Sequence, residues 1–315
     1  GKSCRLLLGV APEERVTAVY TFIAEEQADP ACDWSVTEMC AVLEVSRSGF
    51  YDWQNRGPSA RELEDVVLAR EIELIYVASG ETYGVPRMTH WLHQQGFEVN
   101  HKRVARIMRD LGLEGESGRR RVRTTIVDKG AVGASDHVRR DFNPPAPDVV
   151  WCGDITYLHT GEGWLYLATV IDLFSRRVIG WAAAEHMRTE LVTTALEMAV
   201  ATRGGHVAGV VFHSDRGSVY TSHTYGELCT RHGVIQSMGA TGVCWDNSVA
   251  ESWFGTMKRE LAHRRRWATR AEARRDLIRW IEGWFNPRRL HSSNNYRSPI
   301  DWENLYYRRG DGIAA

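Results

Sequence analysis

The chain has 315 residues, 43% hydrophobic and 25% charged, long enough for two or three domains of roughly 100–200 residues each and too apolar for a disordered polypeptide. No stretch approaches the roughly 20 uninterrupted apolar residues of a membrane helix, and the opening GKSCRLLLGV lacks a secretory apolar core, so a cytoplasmic protein is expected. The net charge of −1 conceals an uneven spread: residues 1–60 carry −4, residues 100–129 carry +5 and residues 258–289 carry +7.

Two basic blocks in a neutral chain are what phosphate binding requires, although a solvated Arg-rich helix face reads the same way. Six cysteines are scattered without a CxxC pair, as reduced thiols would be. His90 and His93 form an HxxH with no cysteine pair to complete a zinc site.

Taken in chain order, residues 1–60 form a helical segment. Within 35–57, Val36, Met39, Cys40 and Leu43 recur at helical spacing, and Phe50, Tyr51 and Trp53 follow after a short break. That is the grammar of a helix-turn-helix, or of any short αα-hairpin. Residues 61–116 predict a helix over about 61–78, a glycine-marked break, a second helix opening at Pro86, and a third capped by Asn100. In the third, Lys102, Arg103, Arg106 and Arg109 lie opposite Val104, Ile107 and Met108, the layout of a helix that reads a major groove. Residues 117–147 read as a Gly/Pro linker, with Arg119, Arg120 and Arg121 suited to tracking a phosphate backbone.

From Val149 the period changes. Three strands over about 149–184, a helix over 188–202, a buried strand ending at Asp215, a helix, a short strand and a long helix from about Asn247 predict a mixed five-stranded α/β sheet over 148–287. Residues 288–315 are expected to form a C-terminal tail.

Asp154 lies in the first strand, Asp215 just beyond the fourth, and Glu251 one turn into the long helix. Strand ends and helix starts of one sheet converge on one edge, where open α/β sheets place ligands. Three carboxylates gathered there repel unless cations neutralise them, and hard oxygen ligands select Mg²⁺ or Mn²⁺. Two such ions roughly 4 Å apart clamp the attacking and leaving oxygens of a phosphoryl transfer. The separation of Asp215 from Glu251 recurs by chance in a chain this acidic; the weight comes from the surrounding residues.

Those residues are WCGDITYL around Asp154, DLFSRRVIGW at 172–181, HSDRGSVYTS around Asp215, DNSVAESWFGTMKREL around Glu251 and RRLHSSNNYRSPIDWE at 288–303, preceded by ETYGVPRM and NHKRVARIMRDLGL within 61–113. Together they resemble the orfB-type transposases of bacterial insertion sequences, in the retroviral-integrase superfamily. The resemblance implies an RNase H-like fold, a DDE triad of Asp154, Asp215 and Glu251, two Mg²⁺ or Mn²⁺ ions, and cleavage of element ends followed by strand transfer from a 3′-hydroxyl. It also implies double-stranded DNA as partner, a homodimer or larger assembly on it, a possible orfA-type partner, and association with the nucleoid when bound to DNA. Lys258, seven residues past Glu251, stands where the family carries a basic residue near the DNA.

Arg264, Arg265, Arg266, Arg288 and Arg289 are further candidate phosphate contacts. The segment 237–247, SMGATGVCWDN, has no Lys or Arg where the family's approach to the glutamate is basic, and Trp245 stands where Tyr is commoner. Asp172 is expected to partner Arg176 or Arg177, His213 to be a hydrogen-bonded histidine, Asp246 and Asn247 to cap the Glu251 helix, and Trp280, Trp284 and Phe285 to belong to the core. A structure-selective nuclease of the same fold that never joins DNA, and a non-catalytic DNA-binding regulator, are the alternative readings.

Overall fold

Short polar caps set the first helices. Ser35 and Glu38 exchange hydrogen bonds in a capping box, Glu38 N–H donating to Ser35 Oγ at 3.3 Å and Ser35 N–H to Glu38 Oε2 at 2.9 Å. This box opens α2 (Val36–Val42), which follows α1 (Pro12–Ala28). Glu44 at φ 55° turns the chain, and Ser46 caps α3 (Arg47–Asn55) by accepting the Gly49 N–H at 3.2 Å. Ile23, Cys40 and Phe50 bury themselves between the three helices, with the tilted rings of Tyr20 and Trp53 packed alongside.

The computed structural model describes residues 12–116, 144–215, 217–238 and 248–311, and divides into two compact units, Gly1–Arg70 and Glu71–Ala315. The boundary falls inside α4 (Ala60–Ala78) rather than at residue 60. The linker arginines Arg119, Arg120 and Arg121 lie outside the described residues, as do Trp245, Asp246 and Asn247.

In the second unit, Gly80 at φ 65° ends the α4 turn and α5 (Val85–Gln94) starts with Pro86 in its first turn. Asn100 caps α6 (His101–Asp110) by accepting the Arg103 N–H at 2.9 Å. Met88, Leu92, Val104, Ile107 and Met108 are buried, while Lys102 is exposed. This helical pair is docked rather than tethered. Tyr83 packs against Trp91 and Trp284 with ring centroids 5.7 Å apart, its hydroxyl accepts the Leu290 N–H at 2.7 Å, and His90 stacks on Tyr296 at 3.7 Å. His93 Nε2 is 2.7 Å from the Val99 carbonyl oxygen.

The sheet has the order β3-β2-β1-β4-β5. β1 (Val150–Thr160), β2 (Gly163–Asp172) and β3 (Val178–Ala184) form an antiparallel meander, β4 (Val211–Ser214) runs parallel to β1, and β5 (Ile235–Met238) parallel to β4. Alternation along β1 gives the sheet two core faces. Val150, Cys152 and Leu158 face α9 (Ser248–Glu260) and α10 (Arg270–Trp280). Trp151 faces α7 (Thr189–Thr202) and α8 (His223–His232). Gly180 permits the α7 contact, since a Cβ there would lie 2.2 Å from the Ala195 carbonyl oxygen.

The C-terminal residues are not a tail. α10 runs on as a π-helical turn over Ile281–Phe285, and α11 (Pro299–Asp311) buries Glu303. Arg203 pairs with Glu303 at 2.6 Å and with Asp148 at 2.7 Å, and Arg177 reaches Glu303 at 2.8 Å. Asp172, fully buried, accepts the Asp148 and Ser175 N–H groups at 2.8 Å and lies 3.8 Å from Arg203. Its charge is shared by Arg203 and by the expected Arg176, whose guanidinium it stabilises, while Arg177 reaches Glu303. Trp280 and Phe285 are core residues, and Trp284 packs partly buried against them.

Candidate catalytic site

The parallel pairing of β1 with β4 sets the site. Val150, Trp151 and Cys152 are registered on Val211, Phe212 and His213. β4 ends at Ser214, so Asp215 follows directly after the strand that pairs with β1, and the alternation of β1 turns Asp154 to the same face as Cys152. That face is the one α9 covers. The apolar positions Ala250, Trp253, Phe254 and Met257 pull α9 down onto it. Glu251 then projects from the first helical turn, where the helix N-terminus favours a negative charge. Lys258, seven residues on and two turns along, shares its side of the helix.

Burial raises the Asp154 carboxyl to about 6; the Ile155 N–H, donated to Asp154 Oδ1 at 2.7 Å, opposes this, the Asp215 and Glu251 charges add to it, and Lys258 opposes it. Three acids from β1, the end of β4 and the start of α9 thus feel one another at Asp154. Asp215 and Glu251 are exposed, and Asp215 Oδ1 accepts the Gly217 N–H at 3.0 Å. Among the described residues no group of three or more His, Cys, Asp or Glu side chains is drawn tightly enough together to hold a metal ion. With Asp154 and Asp215 each turned onto a local backbone N–H, the carboxylates are close enough to repel but not gathered around one point. An uncompensated acidic pair with oxygen donors only nonetheless suits a hard divalent cation.

Around the acids, His213 is buried with Nδ1 3.1 Å from Ser237 Oγ. Burial and the nearby Asp154 and Asp215 carboxylates hold the Tyr220 hydroxyl well above the ordinary phenol range. Burial pushes the Cys152 thiol up to about 12, so it stays protonated under the site. Neither Tyr220 nor Tyr157, whose ring lies 5.5 Å from Lys258 Nζ, stood out in the sequence; the aromatic alternation in ITYLHT is the one local signal.

The basic candidates divide. Lys102, Arg265, Arg266 and Arg288 are exposed. Lys258 is partly buried beside the acids. Arg103 is partly buried on α6, and Arg106 pairs with Asp110 at 3.3 Å. Arg264 is held by the Gly80 carbonyl and by Glu81 at 2.9 Å. Arg289 is a correction: it is 3% exposed and grips Glu260 through Nε at 2.8 Å and Nη2 at 2.5 Å, so it has no face left for DNA.

Residues 144–244 and 232–299 match integrase core domain families, and residues 62–121 match an HTH-like domain family. The chain is 37% identical over 292 residues to transposase InsF for insertion sequence IS3A of Escherichia coli K12, an alignment covering 90% of this chain and 98% of that one. It belongs to the integrase-core transposases of bacterial insertion sequences. A putative transposase for insertion sequence element IS986/IS6110 of Mycobacterium tuberculosis is 36% identical, covering 87% of this chain and all of the relative. Among solved structures, the catalytic core domain of BIV integrase is 16% identical with a TM-score of 0.38, covering 52% of this chain and 98% of that one. The HTLV-2 integrase catalytic core domain in complex with magnesium (trimeric form) is also 16% identical with a TM-score of 0.38, covering 50% and 98%. As a member of this transposase family, the chain is an enzyme of DNA transposition. No helix among the described residues is long and apolar enough to cross a membrane.

Proposed function

We propose that Asp154, Asp215 and Glu251 are the catalytic carboxylates of this transposase. What supports this reading is the placement of the acids on β1, directly after β4 and in the first turn of α9, with the charges of Asp215 and Glu251 adding to the rise of the Asp154 carboxyl from 61 and 97 positions further along the chain. The three would hold two Mg²⁺ or Mn²⁺ ions, which when bound neutralise the carboxylates and polarise the phosphodiester. Water is the attacking group at the element end and a DNA 3′-hydroxyl at the target. In each step one P–O bond forms as another breaks, and the departing 3′ oxygen takes up a proton.

The chain's own contribution is positioning, because phosphoryl transfer asks for little covalent work from a protein. β1 and the end of β4 would supply two of the carboxylates, and α9 would bring the third together with Lys258, whose charge acts on Asp154. Residues 61–116 would serve as the DNA-reading domain, with Lys102 and Arg103 at the start of α6, and 148–287 as the catalytic core. Arg265, Arg266 and Arg288 would contact phosphates. Joining two element ends calls for at least two copies on the DNA, with an orfA-type chain as a further partner.

Replacing Asp154 or Asp215 by Asn, or Glu251 by Gln, is expected to abolish Mg²⁺-dependent strand cleavage and joining while leaving DNA binding intact. Full strand transfer by the Glu251→Gln protein would overturn the assignment. Nicks without joined products, in an assay supplying a 3′-hydroxyl end and a target duplex, would favour the nuclease reading.

A further inference from the structure

Three of the segments that carry the family resemblance, 172–181, 246–261 and 288–303, meet at a cavity of about 220 Å³. The β2–β3 turn contributes Arg176, α9 contributes Ser248, Ser252 and Thr256, and the loop after the π-helical turn contributes His291 and Ser293. None of these is among the proposed catalytic groups, and no Asp or Glu among the described residues lines the cavity. At about 30 Å³ for each water the space holds roughly seven, short of the roughly 300–1,000 Å³ of a drug-sized ligand. It is the size of a small hydrated ion.

The polar side chains of its wall can each donate a hydrogen bond. Arg176 brings a guanidinium, and Ser248 and Ser252 bring hydroxyls. Thr256 Oγ1 accepts from Arg259 Nη2 at 3.4 Å and keeps its own hydrogen to donate. Burial, and after it the charges of Arg289, Arg176 and Arg87, push His291 down to about 3, so its ring is neutral. Its Nδ1 accepts the Ser293 N–H at 3.4 Å, which leaves the ring proton on Nε2. The buried indole N–H of Trp253, a further residue of the wall, has no hydrogen-bond partner. Charge points the same way. Of the three arginines around His291, Arg289 is matched by Glu260, and Arg176 by Asp172, which it shares with Arg203. Arg87 forms no ion pair among the described residues and gives its Nε–H to the Leu290 carbonyl at 3.1 Å. Burying more guanidinium than carboxylate is unfavourable, and an anion offsets the excess. Donors converging from a turn, a helix and a loop suit an ion whose oxygens point in several directions better than a planar carboxylate.

We propose that this cavity binds a small free tetrahedral oxyanion of the phosphate class, held by Arg176, His291 and the α9 hydroxyls. Bound there, the ion ties the start of α9, and with it Glu251, to the β2–β3 turn and to the loop at 291–293. The site is separate from the candidate DNA contacts Lys258, Arg265, Arg266 and Arg288, none of which lines it. It stands whether or not the three carboxylates are the catalytic ones.

The chain, in EDTA at pH 7.5 and at an ionic strength held constant with NaCl, is titrated calorimetrically with inorganic phosphate. The wild-type chain is expected to bind one phosphate saturably. Ser252→Glu sets a carboxylate on the rim from an exposed helix position, and Arg176→Gln removes the cation. Each is expected to weaken binding about tenfold or more, the scale of one lost charged hydrogen bond. Ser252→Ala, which loses one neutral hydroxyl, is expected to stay within about fivefold of wild type. Thermal melting of each variant separates loss of the site from loss of the fold; if Arg176→Gln melts early, Ser252→Glu decides. A saturating blunt duplex is expected to leave the phosphate affinity of the wild-type chain within about twofold. Displacement of phosphate by that duplex would make the cavity a seat for a backbone phosphate and overturn the free-ion proposal. Absence of saturable binding by the wild-type chain, or wild-type phosphate affinity in folded Ser252→Glu, would overturn it as well. Because neither metal nor cleavage is read, this result stands apart from that of the Glu251→Gln test.

Discussion

Asp154→Asn is expected to stabilise the metal-free protein while destroying its activity. The Asp154 carboxyl, ordinarily at 3.8, is raised to about 6, chiefly by burial. That displacement corresponds to roughly 3 kcal/mol of preference for the neutral form. The sign follows from linkage. An acid raised in the folded state binds its proton more tightly there than in the unfolded chain, so ionisation favours unfolding. The penalty is absent below pH 3.8, grows between 3.8 and about 6, and is complete above. An asparagine never ionises, although its amide still has to be accommodated. Thermal melts in EDTA at pH 7.5 are therefore expected to find the variant more stable by about 1–3 kcal/mol, with the gap closing by pH 4. Mg²⁺ is expected to offset most or all of that gap, since an ion at a hundred times its dissociation constant would stabilise the wild-type chain by about 2.7 kcal/mol and would find a weaker site in the variant. A variant less stable than wild type in EDTA at pH 7.5, or a gap indifferent to pH, would refute this electrostatic account of the site.

Three further outcomes are expected. Arg203→Ala takes one of two arginines from the buried Glu303 and a cation from the buried Asp172 and should cost about 3 kcal/mol by urea denaturation, with cleavage lost only as the fold is lost. Arg289→Ala should cost a similar amount by uncovering Glu260, whereas Arg288→Ala, on the exposed side, should change stability by less than about 0.5 kcal/mol in the same denaturation assay. Lys258→Ala should lower the slope of log affinity against log salt by about one in a duplex-binding titration and raise the Asp154 carboxyl further, shifting the acid limb of the cleavage profile to higher pH.

Periodicity revealed most of the sheet, because strands and helices here carry clean patterns: WCGDITYLHT alternates, and the α9 sequence repeats apolar residues at three and four. The caps Asn100 and Pro86 were equally legible, since their effect is local. Asp154, Asp215 and Glu251 stood out through their surroundings, yet spacing alone carried almost nothing, and the pairing of β1 with β4, which ends at Cys152 and His213, leads to the first two without including them. What the sequence concealed was long-range. Arg289 looks like its neighbour Arg288 until Glu260, 29 positions away, claims it. Likewise Asp172 and Arg203, and the burial of Glu303, depend on α11 returning to the core, which no local pattern announces.

Asp154, Asp215 and Glu251 are expected to share divalent cations. Anomalous diffraction at the manganese edge, from crystals of the full-length chain grown with Mn²⁺ and a DNA end, tests it most directly. Manganese is expected between Asp154 and Asp215, with Glu251 turned toward it and the signal lost in Asp154→Asn crystals. Manganese lodged elsewhere, or no manganese, in crystals whose protein still cleaves and joins DNA would contradict it.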